Sequence, residues 1–540
     1  MRKRVPYAVG PALAGLAAAC AHAAADAPPA RIGFSRDAMT AARLSGRDMV
    51  VVRTRRQAAM ESVVVEVAVD RKGRVIAASA ARDENEFGPA EAAAAVAAVR
   101  GWRFRPFTYR GKAVIAVGKV EVRYRPVEQW ADIRARFPGV DYGKLAITLE
   151  RFGCYGSCPV YRVRIEGDGR VVFQTLEPLG DPLVGLRGGF DRHNVLAPGR
   201  HEGRIARAEV EALVDRFRSA RFFGLRKAYR APVTDSASFV VTFETGRRRK
   251  RVVDYVGKTV GMPEAVTRLE DEIDRVAETA RWVAGDPGTG AALAAEGFDF
   301  ASPAADDLLY RAVASAPEST LLDLLGRGVD LERRHAIGAA PERPLGLILL
   351  EKAIRLGRPA FFAELARRGW LERAPRAMLE SAFAETAAGF DPGIAATLVA
   401  SGVAPDARDA DGKSALIGAL SSYASYWTRS PAEVQRMASA LLRLGVPVDA
   451  AGKDGKTALF HARTPEMAAL LLAAGASVSH RSAEGLSAPF FVHDDRTALV
   501  LLEAGADPRG SDARGNSLRR LAGIRGMPGT IAWLDSHGIP

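Results

Sequence analysis

Asp454-Gly455-Lys456-Thr457-Ala458-Leu459-Phe460-His461-Ala462, followed by Leu471 and Gly475, decides how the C-terminal half of the chain is read. An acidic residue beside glycine makes a tight tip, and the threonine after it stands where a helix cap belongs. Leu-x-x-x-Gly then closes a second helix, because glycine takes the left-handed conformation that ends helices at little cost. The same Leu-x-x-x-Gly pattern recurs at 324/328, 365/369, 398/402, 441/445, 501/505 and 534/538, so the glycines are spaced 41, 33, 43, 30, 30 and 33 residues apart. About ten residues after several of them a second glycine follows, in Asp411-Gly412-Lys413-Ser414, Glu484-Gly485-Leu486-Ser487 and Arg514-Gly515-Asn516-Ser517. Self-similarity at this period is the mark of a repeat array, expected over residues 304–540. Each unit buries its face only against its neighbours, giving an extended scaffold with a concave surface rather than a pocketed enzyme. The longer spacings imply insertions, such as residues 421–431.

The segment Thr457-Ala458-Leu459-Phe460-His461-Ala462 resembles the Thr-Pro-Leu-His-x-Ala signature of ankyrin repeats, with alanine for proline and Phe460 in the histidine slot. The resemblance is clear over 391–540 and weak over 304–390, where the tip motif is lost. It implies an all-α solenoid that binds proteins, with Asp411, Lys413, Asp454, Lys456, Glu484 and Arg514 at the partner-binding tips. In place of the family's histidine, Phe460 removes the hydrogen bonds that residue makes between repeats. His461, His480 and His493 are spread over different repeats and are expected to be structural or surface residues.

The 540 residues exceed the usual domain length several-fold, and 48% hydrophobic with 26% charged residues describes a globular chain of several domains. The net charge of +13 falls to +10 without Arg2, Lys3 and Arg4. The basic residues are scattered, with no aromatic stacking or groove-reading motif, so nucleic acid is not an expected partner. Arg2-Lys3-Arg4, the apolar run over residues 7–19 and the small residues Ala21, Ala23, Ala24 and Ala25 have the tripartite order of a signal peptide over residues 1–25. The apolar run falls short of the roughly 20 residues that span a bilayer, and no later stretch reaches that length. An alternative reading takes Leu16-Ala17-Ala18-Ala19-Cys20 as a lipoprotein box that anchors the chain through Cys20. Both readings place the mature chain outside the cytoplasm.

Residues 35–127 read as strand, strand, helix, strand. Val63, Val65, Val67 and Val69 alternate along the first strand, Arg71-Lys72-Gly73-Arg74 turns it into Val75 and Ile76, residues 89–100 are Ala-rich and begin with proline, and residues 114–124 alternate again. Val69-Asp70-Arg71-Lys72-Gly73-Arg74-Val75, the helix ending in Val99-Arg100-Gly101-Trp102-Arg103-Phe104-Arg105-Pro106, and Gly111-Lys112 before the last strand resemble the C-terminal domain of TonB-type energy transducers, over about 60–125. That family sits in the periplasm and pairs a strand with a peptide of outer-membrane transporters. The family's membrane helix and Pro-rich spacer are absent, and residues 53–59 replace its Tyr-Pro motif. The resemblance therefore implies an exposed edge strand near 114–122, with Val117 and Val120 as candidate peptide-capturing residues.

Residues 143–284 read as a second α+β domain. Leu145, Ile147 and Leu149 alternate into a loop, Cys154-Tyr155-Gly156-Ser157-Cys158-Pro159, and Tyr161, Val163 and Ile165 alternate out of it to the Gly167-Asp168-Gly169 turn. Helices are expected over 205–222 and 264–283, with a hairpin between them turning at Gly246. Once Cys20 leaves or takes a lipid, Cys154 and Cys158 remain as an even pair in an oxidising compartment, and Gly156 lets the backbone bring them together, so a disulfide is expected. A redox pair would more often be Cys-x-x-Cys at a helix N-terminus, and a zinc site would need two more ligands, so no metal is expected. The segment resembles a family of uncharacterised bacterial domains that share Cys-Tyr-Gly-x-Cys-Pro and have no settled activity. Asp235 is expected to turn the chain, with a catalytic role as the alternative. Arg247-Arg248-Arg249-Lys250-Arg251 reads as a solvated hairpin tip or an anion-binding patch.

No Ser/His/Asp, paired-carboxylate, metal-ligand or phosphate-loop pattern stands above chance, so neither an enzyme nor a cofactor is expected. The expected function is an exported, non-enzymatic interaction scaffold of the bacterial envelope. The alternative is a component of TonB-type energy transduction.

Overall fold

The computed structural model describes residues 31–46, 49–52, 62–81, 88–176, 194–337, 340–385, 391–422 and 429–540. The signal segment 1–25, Cys20 and most of the insertion at 421–431 lie outside the described residues. Strands occupy the N-terminal half and helices the C-terminal part.

The alternating valines of β4 (Ser62–Val69) bury Val63, Val65, Val67 and Val69 in one core. The chain turns at Gly73, whose φ of +79° suits glycine, while the Asp70 carboxylate accepts the Lys72 and Arg74 amides. β5 (Val75–Ala80) returns antiparallel to β4, and the Ala-rich helix α2 (Pro89–Arg100) packs on both. β9 (Ile115–Pro126) pairs antiparallel with the other side of β4, from Ser62 opposite Arg123 to Val69 opposite Ala116.

Two strands that the sequence reading left out complete the sheet. β1 (Arg31–Phe34) and β3 (Met49–Val52) both lie parallel to β9, beside Ile115 to Gly118 and Arg123 to Pro126 respectively, and helix α1 (Arg36–Ala42) follows β1. The sheet order is β1-β9-β4-β5, with β3 also on β9, and two short ribbons pair β2 (Arg43–Ser45) with β6 (Arg103–Phe104) and β7 (Thr108–Tyr109) with β8 (Lys112–Ala113). The expected edge at 114–122 is therefore corrected over part of its length: β9 is paired on both sides where β1 and β3 flank it, at residues 115–118 and 123–126. Val117 is paired with Gly33 on one side and Ala68 on the other, and Val120 is buried opposite Val65. Gly118 permits this closure, since a Cβ there would lie 2.7 Å from Met39 Cγ and from the Phe34 carbonyl oxygen.

The middle sheet has seven strands in the order β13-β12-β11-β10-β15-β16-β14, formed by β10 (Ala146–Phe152), β11 (Tyr161–Glu166), β12 (Arg170–Thr175), β13 (Arg200–Arg204), β14 (Ala228–Arg230), β15 (Ser238–Thr245) and β16 (Arg248–Tyr255). One face is apolar, with Ile147, Leu149, Val163, Ile165, Val241, Phe243 and Val252 meeting α3 (Arg207–Ser219) and α4 (Glu264–Val276). Both helices stop short of their sequence-predicted ends. Arg221 and Glu278 adopt positive φ, which breaks the helical path before a 3₁₀ turn at Phe222–Gly224 and a short helix at Ala280–Val283.

In the helical part all seven glycines of the Leu-x-x-x-Gly pattern have positive φ, from +63° to +101°. All seven leucines are at most 1% exposed. In five units the residue after the glycine donates its amide to that leucine's carbonyl, from Val403 to Leu398, Val446 to Leu441, Ala476 to Leu471, Ala506 to Leu501 and Ile539 to Leu534. One pattern therefore supplies both the core side chain and the helix stop.

The helical part packs against both of the others. Tyr161 and Phe173 of the middle sheet share a continuous core with Trp282, Leu293 and the helices beyond. His201 stacks on Trp282 at 3.9 Å and hydrogen-bonds Glu296 at 2.7 Å. At the far end, the buried Asp495 carboxylate accepts the Gly33 amide of β1 at 2.7 Å, together with the Gly529 and Thr530 amides and the Thr530 hydroxyl. Tyr109 and Arg110 both bind Glu503, at 2.6 Å each, and Leu499 enters the N-terminal core. A Cβ at Gly33 would lie 2.8 Å from Asp495 Cβ. Gly33→Ala is thus expected to unseat β1 from the last helices, raising amide exchange at Ile32 and Phe34 by roughly tenfold or more as about 1–2 kcal/mol of local stability is lost, read by hydrogen-exchange mass spectrometry.

Candidate interaction surfaces

Four five-residue turns repeat along the helical part, at 409–413, 452–456, 482–486 and 512–516. Each has the same two backbone bonds: the first amide donates to the fifth carbonyl at 2.9–3.0 Å, and the glycine in fourth place donates back to the first carbonyl at 2.8–2.9 Å. Gly412, Gly455, Gly485 and Gly515 hold φ between +72° and +77°, where a side chain is strained. In three turns the first side chain locks the loop. Asp409 and Asp512 carboxylates accept the third and fifth amides at 2.8–2.9 Å, and the Ser482 hydroxyl accepts the same pair at 3.3–3.4 Å. Gly452 has no side chain for this, and Asp454 accepts the Lys456 amide instead.

Neighbouring turns are tied together. Arg408 donates to the carbonyls of Gly412 and Ala451, Lys453 donates to that of Ala410, and the Ala483 amide donates to that of Asp454. His480 bonds the Gly455 carbonyl at 2.9 Å, so a residue from the next unit does linking work that the Phe460 side chain lacks. His461 is largely buried and its pKa is pushed down to about 4 by desolvation, and burial also lowers His493.

The sequence-chosen tip residues fall on this row but differ in availability. Asp411 is exposed and lies 3.8 Å from Lys413. Asp454 pairs with Lys456 at 3.2 Å, and the Lys456 ammonium rests 4.6 Å above the Phe491 ring, leaving it 20% exposed. Glu484 and Arg514 are exposed. The residues after the turns do not all cap as expected. Ser414 and Ser517 accept an amide three residues on, whereas the Ser487 hydroxyl donates to the Asp507 carbonyl and Thr457 makes no cap bond. Behind Thr457 and Ser487 the chain makes only 3₁₀ turns, Ala458–His461 and Ala488–Phe490, because the next helix starts three or four residues later at Thr464 or Asp494.

Cys154 and Cys158 form a disulfide with Cα atoms 5.6 Å apart. The loop is held further by Asn194, which donates to the Gly156 and Cys158 carbonyls, and by the Tyr155 amide, which donates to the Asp235 carbonyl. Tyr155 is 90% exposed at its tip. Asp235 itself sits at φ +63° and turns the chain. The run 247–251 is divided by the two-residue strand period: Lys250 donates to the Leu225 carbonyl at 2.5 Å while Arg249 pairs with Glu244. Among the described residues, no three His, Cys, Asp or Glu side chains are placed to hold a metal ion.

Beneath the disulfide loop lies a polar cluster that the sequence reading missed. Arg151 and Tyr161, on the strands either side of the loop, both bind Asp274 of α4, with the Tyr161 hydroxyl donating at 2.7 Å and the Arg151 Nε at 2.9 Å. The Arg151 guanidinium also lies 4.5 Å over the Phe239 ring. One turn away, Glu270 is 4% exposed and its Oε1 has no hydrogen-bond partner. Burial, followed by the nearby Asp254 carboxylate, pushes the Glu270 carboxyl up to about 9. The available signal was phase, since Arg151 falls in step with the inward-facing Ile147 and Leu149.

A protonated Glu270 makes folding pH-dependent. Its carboxyl keeps a proton in the folded protein that it gives up near pH 4.5 when unfolded, so its contribution is fully present below that value and is lost as the pH rises toward about 9. Glu270→Gln is expected to match the wild type near pH 5 and to exceed it increasingly above, by at most about 1.4 kcal/mol per pH unit, as measured by denaturant melts across the range. Replacing both cysteines by serine is expected to cost about 2 kcal/mol for so short a loop, measured the same way without reductant.

Residues 145–277, which hold the disulfide loop and this cluster, match the model of a domain of unknown function (DUF6438). No curated protein matches the chain.

Proposed function

We propose that this protein is an exported, non-enzymatic scaffold of the bacterial cell envelope that binds a folded protein partner along an ankyrin-like row of turns. The observation that carries this reading is the fourfold recurrence of one rigid turn, with the same bonds and the same left-handed glycine at 412, 455, 485 and 515. Turns locked by their own side chains lose little freedom when a partner docks, which favours binding. Asp411, Asp454, Glu484 and Arg514 are exposed charges that would set partner choice, with Lys413 and Lys456 completing the row. The signal-peptide order read in residues 1–25 and the disulfide between Cys154 and Cys158 support placement outside the cytoplasm, in the periplasm or on a lipid attached to Cys20. The energy-transduction alternative relies on an open β9, and the pairing of β9 with β1 and β3 weighs against it.

Photo-crosslinking side chains placed at Asp411 and Glu484 in intact cells test the proposal. One discrete adduct is expected from the envelope fraction, and it should vanish when Arg514→Glu is combined with Lys413→Glu. An absence of adducts from the tips, or adducts indifferent to those charges, would sink the reading.

A further inference from the structure

Folding of the middle domain gathers basic residues that lie far apart in the sequence. The Ala131 and Asp132 amides both donate to the Gly224 carbonyl, and Arg221 donates to the carbonyl of Ile133. The same loop then follows the β15–β16 hairpin: Phe137 meets Phe223 and Phe243 at 5.3 and 5.2 Å, and the Asp141 amide donates to Thr245 Oγ1, opposite Arg248. Beyond Gly224 the chain runs beside β16, with Lys250 donating to the Leu225 carbonyl and the Val253 amide to that of Lys227. Segments 134–136, 226–227 and 247–248 therefore share one side of the domain.

They carry Arg134, Arg136, Arg226, Lys227, Arg247 and Arg248, all exposed. Among the described residues, none of the six forms an ion pair. The acids nearby are engaged elsewhere: Asp215 pairs with Arg218, Glu244 with Arg249 and Arg164, and Asp141 with Lys144, while Asp132 accepts the Arg134 amide. Burial, and after it the Lys227 charge close by, lowers the pKa of the Lys250 ammonium, as crowded like charges do. The outer face of the same sheet is different, because its arginines are neutralised: Arg162 pairs with Glu150, Arg170 with Glu202 and Arg204 with Asp168. Beside the unpaired cations stands Ile133, 52% exposed.

We propose that this side of the middle domain docks on a membrane surface rich in anionic lipid, with the arginines and Lys227 meeting headgroup phosphates and Ile133 entering the interface. This goes beyond the scaffold reading, since it gives the scaffold a surface to rest on rather than another protein partner. Charge complementarity selects the occupant. Guanidinium groups bind phosphate oxygens in pairs, and clusters of about four to eight basic residues are what anionic bilayers hold. A soluble polyanion would answer the charges but offers an exposed isoleucine no apolar medium, whereas the headgroup boundary supplies both.

The probe is a set of extruded vesicles, of equal parts phosphatidylglycerol and phosphatidylcholine or of phosphatidylcholine alone, sedimented with the full-length protein. Binding to the mixed vesicles alone, lost at high salt, is expected. Arg226→Ser combined with Lys227→Ser should lower partitioning on the order of twentyfold, at roughly fivefold per charge. Ile133→Ser should weaken it several-fold while leaving the salt dependence as it was. Arg436→Ser combined with Arg520→Ser removes the same charge from exposed positions in the helical part and should change nothing, which also discounts any contribution of the apolar run over 7–19. The proposal is overturned if the mixed vesicles fail to bind, if the two double variants lose binding equally, so that net charge alone is read, or if Ile133→Ser binds as the wild type does, the mark of a site for soluble polyanions.

Discussion

The Asp495 carboxylate accepts a hydrogen bond from Gly33, 462 residues away in the chain. It is almost wholly buried, and burial raises its pKa while bonds from Gly33, Thr530 and Gly529 draw it back down. A buried carboxylate is tolerable when its lone pairs are used, and here four donors use them. Three of the four come from the last helices themselves and one from β1, so the same side chain orders the C-terminal end of the helical part and seats the first described strand on it. With the Tyr161 and Phe173 junction at the other end of the helices, the helical part is in contact with both of the others.

Two devices recur within this frame. Leucine and glycine four residues apart bury one side chain and stop one helix, and the five-residue turn resets the chain direction before the next unit. Neither depends on a long helix. That is why the units around Phe460 and Phe490 keep their register although their first helix has shrunk to a 3₁₀ turn. The packing is carried by Leu459, Phe460 and Phe490, all at most 3% exposed, rather than by helix length.

What the sequence made legible follows the range of the physics involved. Alternation of valines, the Gly73 turn and the Leu-x-x-x-Gly spacing are local patterns, and they translate directly into β4, β5 and the helix ends. The path of 31–52 was not legible, because β1 and β3 are four residues each and are defined by what they pair with. Parallel pairing with β9 leaves no local trace, and its effect was to cover residues 115–118 of a supposed edge. The Asp495 to Gly33 contact is the extreme case: an aspartate at a helix start reads as a cap, and nothing nearby in the chain points to β1. In the middle domain the disulfide loop was legible from its two cysteines and glycine, whereas Glu270 looked like any polar residue on an amphipathic helix until the sheet covered it.

The contact between β1 and the last helices also bears on how such a chain can change over generations. An open stack of units tolerates gain or loss of one unit, since only the neighbours notice. Here the helical part is held at both ends, by Trp282 at one and by Gly33 at the other. An added or deleted unit would carry the terminal helices away from β1 and leave the Asp495 pocket facing nothing. Copy number is therefore a constrained quantity in this molecule, and variation in length is steered instead into loops within units, where the distance to be spanned is unaffected.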